Sequence, residues 1–293
     1  MISDIPAFIR ENTRVLAPSH VPELSLYLAD DAVSLWQLTE DQLGELGLPP
    51  PFWAFAWAGG QALARYILDH PETVRGKTVM DVASGSGLVA IAAMKAGARS
   101  TLAIDIDAFA SHAAVLNAEL NSVVVETSGD DPVGKPTDAE VILVGDLFYD
   151  RDLAPRVLAW LIEQQAASKT VLIGDPGRTY LPRDQLEQIA AYDIPVTRAL
   201  EDAEVKRAGA LDAALKSWPA GPASSIRANR HPLIFRHARL RHHRKPRPER
   251  HALPRRAHCS ATGFLQASAH ASRARTSKPA RKRARTRARR TAP

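Results

Sequence analysis

Thr78-Val79-Met80-Asp81-Val82-Ala83-Ser84-Gly85-Ser86-Gly87-Leu88-Val89-Ala90, with Leu102-Ala103-Ile104-Asp105-Ile106-Asp107 a few residues on, is the stretch that decides the fold. An apolar run carries Asp81 and ends in a turn containing Gly85 and Gly87. An amphipathic stretch over 88–97 follows, and a second apolar run closes on Asp105. Strand, glycine loop, helix, strand and acid in that order form the nucleoside-binding half of a doubly wound, mostly parallel α/β sheet.

The same alternation extends to both sides. Strands are expected over 78–82, 101–105, 123–126, 140–145 and 169–174, with 194–200 a candidate sixth. Helices are expected over 61–70, 87–97, 108–120, 152–167 and 182–191. Helices of ten or more residues between apolar strands imply parallel crossovers and a Rossmann-like sheet. Ahead of them, 4–17 reads as an amphipathic helix ended near Pro18, and 24–38 as a hairpin or loose strand pair. The chain therefore divides into an N-terminal, substrate-side segment (1–57), a nucleotide-binding core (58–207) and a tail (208–293).

Charge separates the last two. Residues 1–207 hold 16 Lys/Arg against 30 Asp/Glu, and 208–293 hold 22 against 2. The net +6 is thus an average of an acidic body and a basic end. The tail is rich in Ala, Arg, His and Pro and has no sustained period, so it reads as disordered. Its composition is that of an out-of-frame translation of a GC-rich gene. An acidic body suits a basic target better than nucleic acid, and any nucleic-acid contact is expected through the tail. No apolar run is long enough for a membrane span. The one cysteine, Cys259, allows no internal disulfide, in keeping with a reducing, cytoplasmic setting.

Gly85-Ser-Gly87-Leu-Val-Ala90 also fits a dinucleotide-binding pattern. Two features favour S-adenosyl-L-methionine over NAD(P). Asp81, four residues ahead of Gly85, would serve no pyrophosphate but would balance a sulfonium and an α-ammonium. Ser84 and Ser86 keep the turn small, with backbone N–H groups turned to the ligand's carboxylate. Asp105 can accept from both ribose hydroxyls, which suits either nucleoside. Asp130 or Asp131, after the third strand, is placed to meet an adenine amino group or to lie solvated. Asp107 reads as the N-cap of 108–120. His20, His70 and His112 are isolated, and no metal site is expected.

At this point the chain resembles the seven-β-strand methyltransferases, and more narrowly the lysine methyltransferases of the electron transfer flavoprotein β subunit. The likeness lies in Trp53-x-x-x-Trp57-x-Gly59-Gly60, in Asp81–Gly87 with Asp105, in Gly145-Asp146-Leu147-Phe148-Tyr149, and in Gly174-Asp175-Pro176-Gly177-Arg178. It implies a protein substrate with accessible lysines, that β subunit being the expected one. On this footing Trp53, Trp57 and Phe148 are expected to line a lysine channel, and Asp146 and Tyr149 to position the reacting groups. A ribosomal protein or a small amine is the alternative substrate; an inactive or nucleic-acid-tethered protein is the non-enzyme reading. One departure stands out. The family continues past Glu201–Arg207 into a closing strand of Thr, Val and Trp, where this chain has Ala208-Gly209-Ala210-Leu211.

Overall fold

The computed structural model describes residues 4–29, 48–196 and 204–212, together with Ile2 and Leu43. Helix α1 (Ile5–Glu11) is capped by Asp4, whose carboxylate accepts from the Ala7 N–H at 2.9 Å. It ends six residues short of the expected helix. Arg14–Leu16 is instead strand β1, paired antiparallel with β2 (Leu26–Leu28). Of the pair expected within 24–38, Leu26–Leu28 is a strand but its partner is Arg14–Leu16, and 30–38 lies outside the described residues.

Helix α2 (Ala58–Asp69) leads into the main sheet. In chain order follow β3 (Thr78–Val82), α3 (Leu88–Lys95), β4 (Ser100–Ile104), α4 (Ala108–Leu120), β5 (Glu126–Ser128), β6 (Val141–Gly145), α5 (Leu153–Ala166), β7 (Thr170–Asp175), β8 (Glu187–Pro195) and β9 (Val205–Asp212). The spatial order is β5-β4-β3-β6-β7-β9-β8. The first five strands are parallel; β9 runs antiparallel to β7, and β8 antiparallel to β9. Both faces are covered, which is why these strands read as continuous apolar runs. Met80, Val82, Ile142, Val144, Val171 and Ile173 pack under α5 with Val157, Trp160 and Leu161. Their neighbours Val79, Val141, Leu143 and Leu172 face the other way, onto Leu63 and Ile67 of α2 and Val89 and Ala93 of α3. The chain leaves β3 in one direction and β6 in the other, so the crevice between their carboxyl ends is where such sheets bind ligands.

Two expectations at the end of the chain are corrected. Residues 182–191 are not a helix: a single 3₁₀ turn (Arg183–Gln185) precedes β8. Glu187-Gln188-Ile189-Ala190-Ala191 has good helix formers, but an unpaired β9 offers a ladder of backbone partners that outweighs this weak preference. The closing strand is also present. It runs to Asp212, so a core boundary at 207 falls inside it. Ala208 and Ala210 are fully buried, Ala208 beside Ala58, Ala62 and Ile194, so small side chains let α2 lie directly on the strand. The basic stretch beyond Asp212 lies outside the described residues.

Asn117 of α4 and Asn121, which caps its carboxyl end, fasten the N-terminal segment to the core. Asn117 accepts from the Tyr27 N–H at 2.7 Å and donates to the Ser86 carbonyl at 2.8 Å. Asn121 accepts from the Ser25 N–H at 3.0 Å and donates back to the Ser25 carbonyl at 2.7 Å. Asn117 thus joins β2 to the glycine loop through a fully buried amide. Asn117→Ala leaves two backbone groups without partners and should cost roughly 2–4 kcal/mol, read as a lower midpoint in urea.

Candidate active site

A cavity of about 360 Å³ opens at the carboxyl ends of β3, β4, β6 and β7, roofed by the segment 49–57. At one end stands the glycine loop. Gly85 and Gly87 have φ of +54° and +78°, and a side chain on Gly87 would meet Cα and Cβ of Ala114 at 2.9 Å. The loop is a closed turn: Ser84, Gly85 and Gly87 donate to the Ile104 carbonyl, the Asp105 carboxylate and the Ser84 carbonyl. Those amides are therefore committed, unlike the expectation of a row of open donors. What remains for a ligand's carboxylate is the Ser86 N–H of the loop and the N-terminal end of α3, where Ser86, Leu88 and Val89 line the cavity.

Two carboxylates flank this loop. Asp81 is almost wholly buried, and its Oδ2 accepts from the Ala90 N–H at 3.0 Å. Burial pushes its carboxyl up to about 7, against the opposing pull of the Ala90 and Ser84 hydrogen bonds. Asp105 accepts from Gly85 N–H through Oδ2 (2.9 Å) and from Asp107 N–H through Oδ1 (3.0 Å). Each of its oxygens keeps a lone pair, and burial raises its carboxyl as well. Asp107 caps α4 through the Phe109 N–H, as expected, and also borders the cavity; burial pushes it up to about 6. One buried acid and one half-buried acid beside an apolar-walled space are an arrangement built for a cation-bearing ligand.

The other end is aromatic and ionic. Trp57 lies between Phe52 and Phe55, with ring centroids 5.9 Å away on either side, and its indole N–H donates to the Phe52 carbonyl at 2.9 Å. Tyr149 reaches the cavity beside Phe52. Its hydroxyl is pushed well above the usual phenol range, by burial first and then by Asp105 and Asp150. It is a donor at physiological pH and no base. Asp146 has the left-handed φ of +55°. Its Oδ2 accepts from the Gly60 N–H at 2.8 Å, and its Oδ1 takes Nη2 and Nε of Arg178 at 2.6 and 3.2 Å. That Arg178 guanidinium stands 5.5 Å from the centroid of Trp57.

Of the expected site residues, Asp81, Ser84, Gly85, Asp105, Asp146, Tyr149, Trp53 and Trp57 border this one cavity. Gly87 supports it from behind. Trp53 is both wall and core, buried and stacked on Phe109 with centroids 6.0 Å apart. Two expected residues are elsewhere. Phe148 is fully buried among Val157, Trp160 and Ile173, because the turn at Asp146 sends its ring under α5 while Tyr149 points to the cavity. Asp130 is exposed and accepts from the Ser128 hydroxyl at 3.2 Å, in the turn that follows β5. Asp131 likewise faces Arg156 at 3.6 Å. The helix near 152 is capped by Asp150, which accepts from Asp152 and Leu153 N–H, leaving Asp146 to the cavity. Arg178 had no assigned role, although the Asp175-Pro176-Gly177 turn announced a bend that would carry the next side chain inward. Among the described residues, no group of three or more His, Cys, Asp or Glu could hold a metal ion.

Comparison with known proteins adds the family. The electron transfer flavoprotein beta subunit lysine methyltransferase of Rattus norvegicus is 40% identical over 200 residues, covering 64% of this chain and 76% of the relative. That of Homo sapiens is 41% identical over 182 residues, covering 60% and 67%. The chain belongs to the electron transfer flavoprotein beta subunit lysine methyltransferase family. The Caenorhabditis elegans homolog, 36% identical over 204 residues and 82% covered, extends the likeness to a distant animal lineage. The family described as ribosomal protein L11 methyltransferase (PrmA) matches only 62–144, from α2 to the end of β6. That span holds the glycine loop but neither the aromatic roof nor Arg178. Gly59-Gly60, Tyr149 and Gly174–Arg178 likewise lie outside the residues that this family matches.

Proposed function

We propose that this chain is an S-adenosylmethionine-dependent protein lysine N-methyltransferase acting on the electron transfer flavoprotein β subunit. The observation that supports it most is one cavity with cation-ready carboxylates at one end and an aromatic, charge-compensated mouth at the other. The donor set suits the cofactor. Asp105 has a free lone pair on each oxygen for two ribose hydroxyls, Asp81 offers buried negative charge for an ammonium or sulfonium, and the start of α3 faces a carboxylate. When bound, S-adenosylmethionine supplies a methyl group activated by its sulfonium.

The chain's own task is to present a neutral amine in line with that methyl group. A lysine of ordinary pKa near 10.4 must be deprotonated, at a cost of about 4 kcal/mol at neutral pH. Phe52, Trp57 and Tyr149 form an apolar wall that lowers this cost by desolvating the ammonium. Tyr149, held protonated, can hydrogen-bond the amine or orient it without competing for its proton. In this reading the segment up to 57 serves the protein substrate and the core from 58 serves the cofactor. An acidic body complements a lysine-bearing surface, and the reaction is set in the cytoplasm. Among the described residues no helix is long and apolar enough to cross a membrane.

Burial of Asp81 has a measurable consequence. A cationic ligand selects its ionised form, so cofactor affinity should be greatest above about pH 7. Below that it should fall by up to tenfold per unit, with proton release on binding. Calorimetry in buffers of different ionisation enthalpy checks both. The reading itself is tested by incubating the full-length protein with methyl-labelled cofactor and purified flavoprotein β subunit, then locating the label by peptide mass spectrometry. Label on lysines is the expected result. Label confined to a ribosomal protein, nucleic acid or a small amine overturns it.

A further inference from the structure

Arg178 is the one cation among the described residues that borders the cavity. Its loop is set by Asp175, whose Oδ1 accepts from the N–H groups of both Gly177 and Arg178 at 2.6 Å. On the outer side Arg183 donates to the Gly177 carbonyl at 2.9 Å. So directed, the guanidinium reaches across to Asp146 Oδ1 and the Trp57 ring, with only 19% of its side chain exposed. The position is expensive to hold unless the charge is matched, and Asp146 matches it.

The Asp146 carboxylate is thereby spoken for at both oxygens, by Arg178 and by the Gly60 N–H. A bare carboxylate at the mouth would attract a lysine but would also fix it as an ammonium, which cannot accept a methyl group. We propose that Arg178 is a positioning residue for the acceptor amine: its ion pair with Asp146 cancels the carboxylate's charge, so that an incoming lysine can sit there neutral. The inference rests on the lysine methyltransferase reading and adds to it the means of activation. Among the described residues, the other titratable groups facing this end are few. Tyr149 stays protonated, and Asp175 lies behind Arg178, its own carboxyl pushed up to about 6 by burial and then by Asp146. Asp81, Asp105 and Asp107 belong to the cofactor end. The segment 48–57 brings no charge, and the charged pair on α2, Arg65 and Asp69, is engaged at its far end with itself and Glu23.

The test is kcat for methyl transfer at saturating flavoprotein β subunit across the neutral to alkaline range, since kcat reports the ionisation of the bound amine, with cofactor affinity measured separately. In Arg178→Gln the rising limb set by amine deprotonation should move up by roughly one pH unit. The rate should drop about tenfold at neutral pH and recover at alkaline pH. Arg178→Lys keeps the charge and should keep the wild-type limb. D146N/R178Q, which removes both charges, should return the limb toward wild type. Cofactor affinity should be unchanged in all three. Parallel loss of rate at every pH, Lys behaving like Gln, or loss of cofactor binding overturns the inference alone. A wild-type protein that labels no lysine overturns the lysine reading and this inference with it.

Discussion

Asp81→Asn should lose roughly 100-fold in affinity for S-adenosylmethionine while becoming harder to unfold at pH 8. Asparagine is isosteric and can still accept from the Ala90 N–H, so the start of α3 stays anchored. What it removes is a buried charge. The sign follows from burial: the carboxyl is raised from 3.8 to about 7 in the folded protein, so the unfolded chain is the better acid. Below the unfolded value the acid is protonated in both states and carries no penalty. Between the two values the penalty grows with pH, and above about 7 it is full. A rise of about three pKa units corresponds to roughly 4 kcal/mol, which the variant recovers progressively as pH rises and in full only above about 7. Thermal unfolding at several pH values and calorimetric titration measure the two halves. A variant that loses both binding and stability would make Asp81 a structural residue.

The second large effect concerns the Gly59-Gly60 pair, whose neighbouring members should respond oppositely to alanine. A side chain on Gly59 would overlap the Gly174 carbonyl oxygen and come within 2.6 Å of Asp146 Oδ2. A side chain on Gly60 would meet only side-chain carbons of Leu88 and Val89, at 3.9 Å. The first glycine lets α2 lie against the backbone of β7, and this close approach brings the Gly60 N–H to Asp146. Gly59→Ala should therefore destabilise by about 3 kcal/mol or more, lowering the melting temperature by roughly 10 °C, and impair activity through Asp146. Gly60→Ala should leave stability unchanged or slightly raised, because alanine is the better helix former. Similar losses in both variants would refute this packing account.

These glycines show how far the sequence could be read. Its motifs located the cavity because each is a local signal: an apolar run, a left-handed turn, an acid at a strand end. Asp81, Gly85, Asp105 and Asp146 follow from that logic and come together as expected. What could not be read is direction. After a left-handed turn at Asp146, Phe148 enters the core while Tyr149 reaches the cavity, and nothing in the local composition announces which goes where. Arg178 likewise depends on a turn whose carboxylate, Asp175, folds back on its own backbone. At the far edge, 182–191 reads locally as helix, yet from Glu187 on it is strand, because that strand exists only through pairing with β9, a partner some ten residues later in the chain. The alanines of β9 look like tail composition until α2 is seen lying on them. Local pattern located the glycine loop and its acids; long-range pairing decided the far edge of the sheet.

The account turns on a methyl donor held between Asp81 and Asp105. A crystal structure of the full-length protein with S-adenosylhomocysteine, the demethylated form of that donor, tests it most directly. The predicted result places both ribose hydroxyls within hydrogen-bond reach of the Asp105 carboxylate and the α-ammonium on the Asp81 side of the glycine loop. Ligand found outside this cavity, or held there with neither carboxylate in contact, would contradict it.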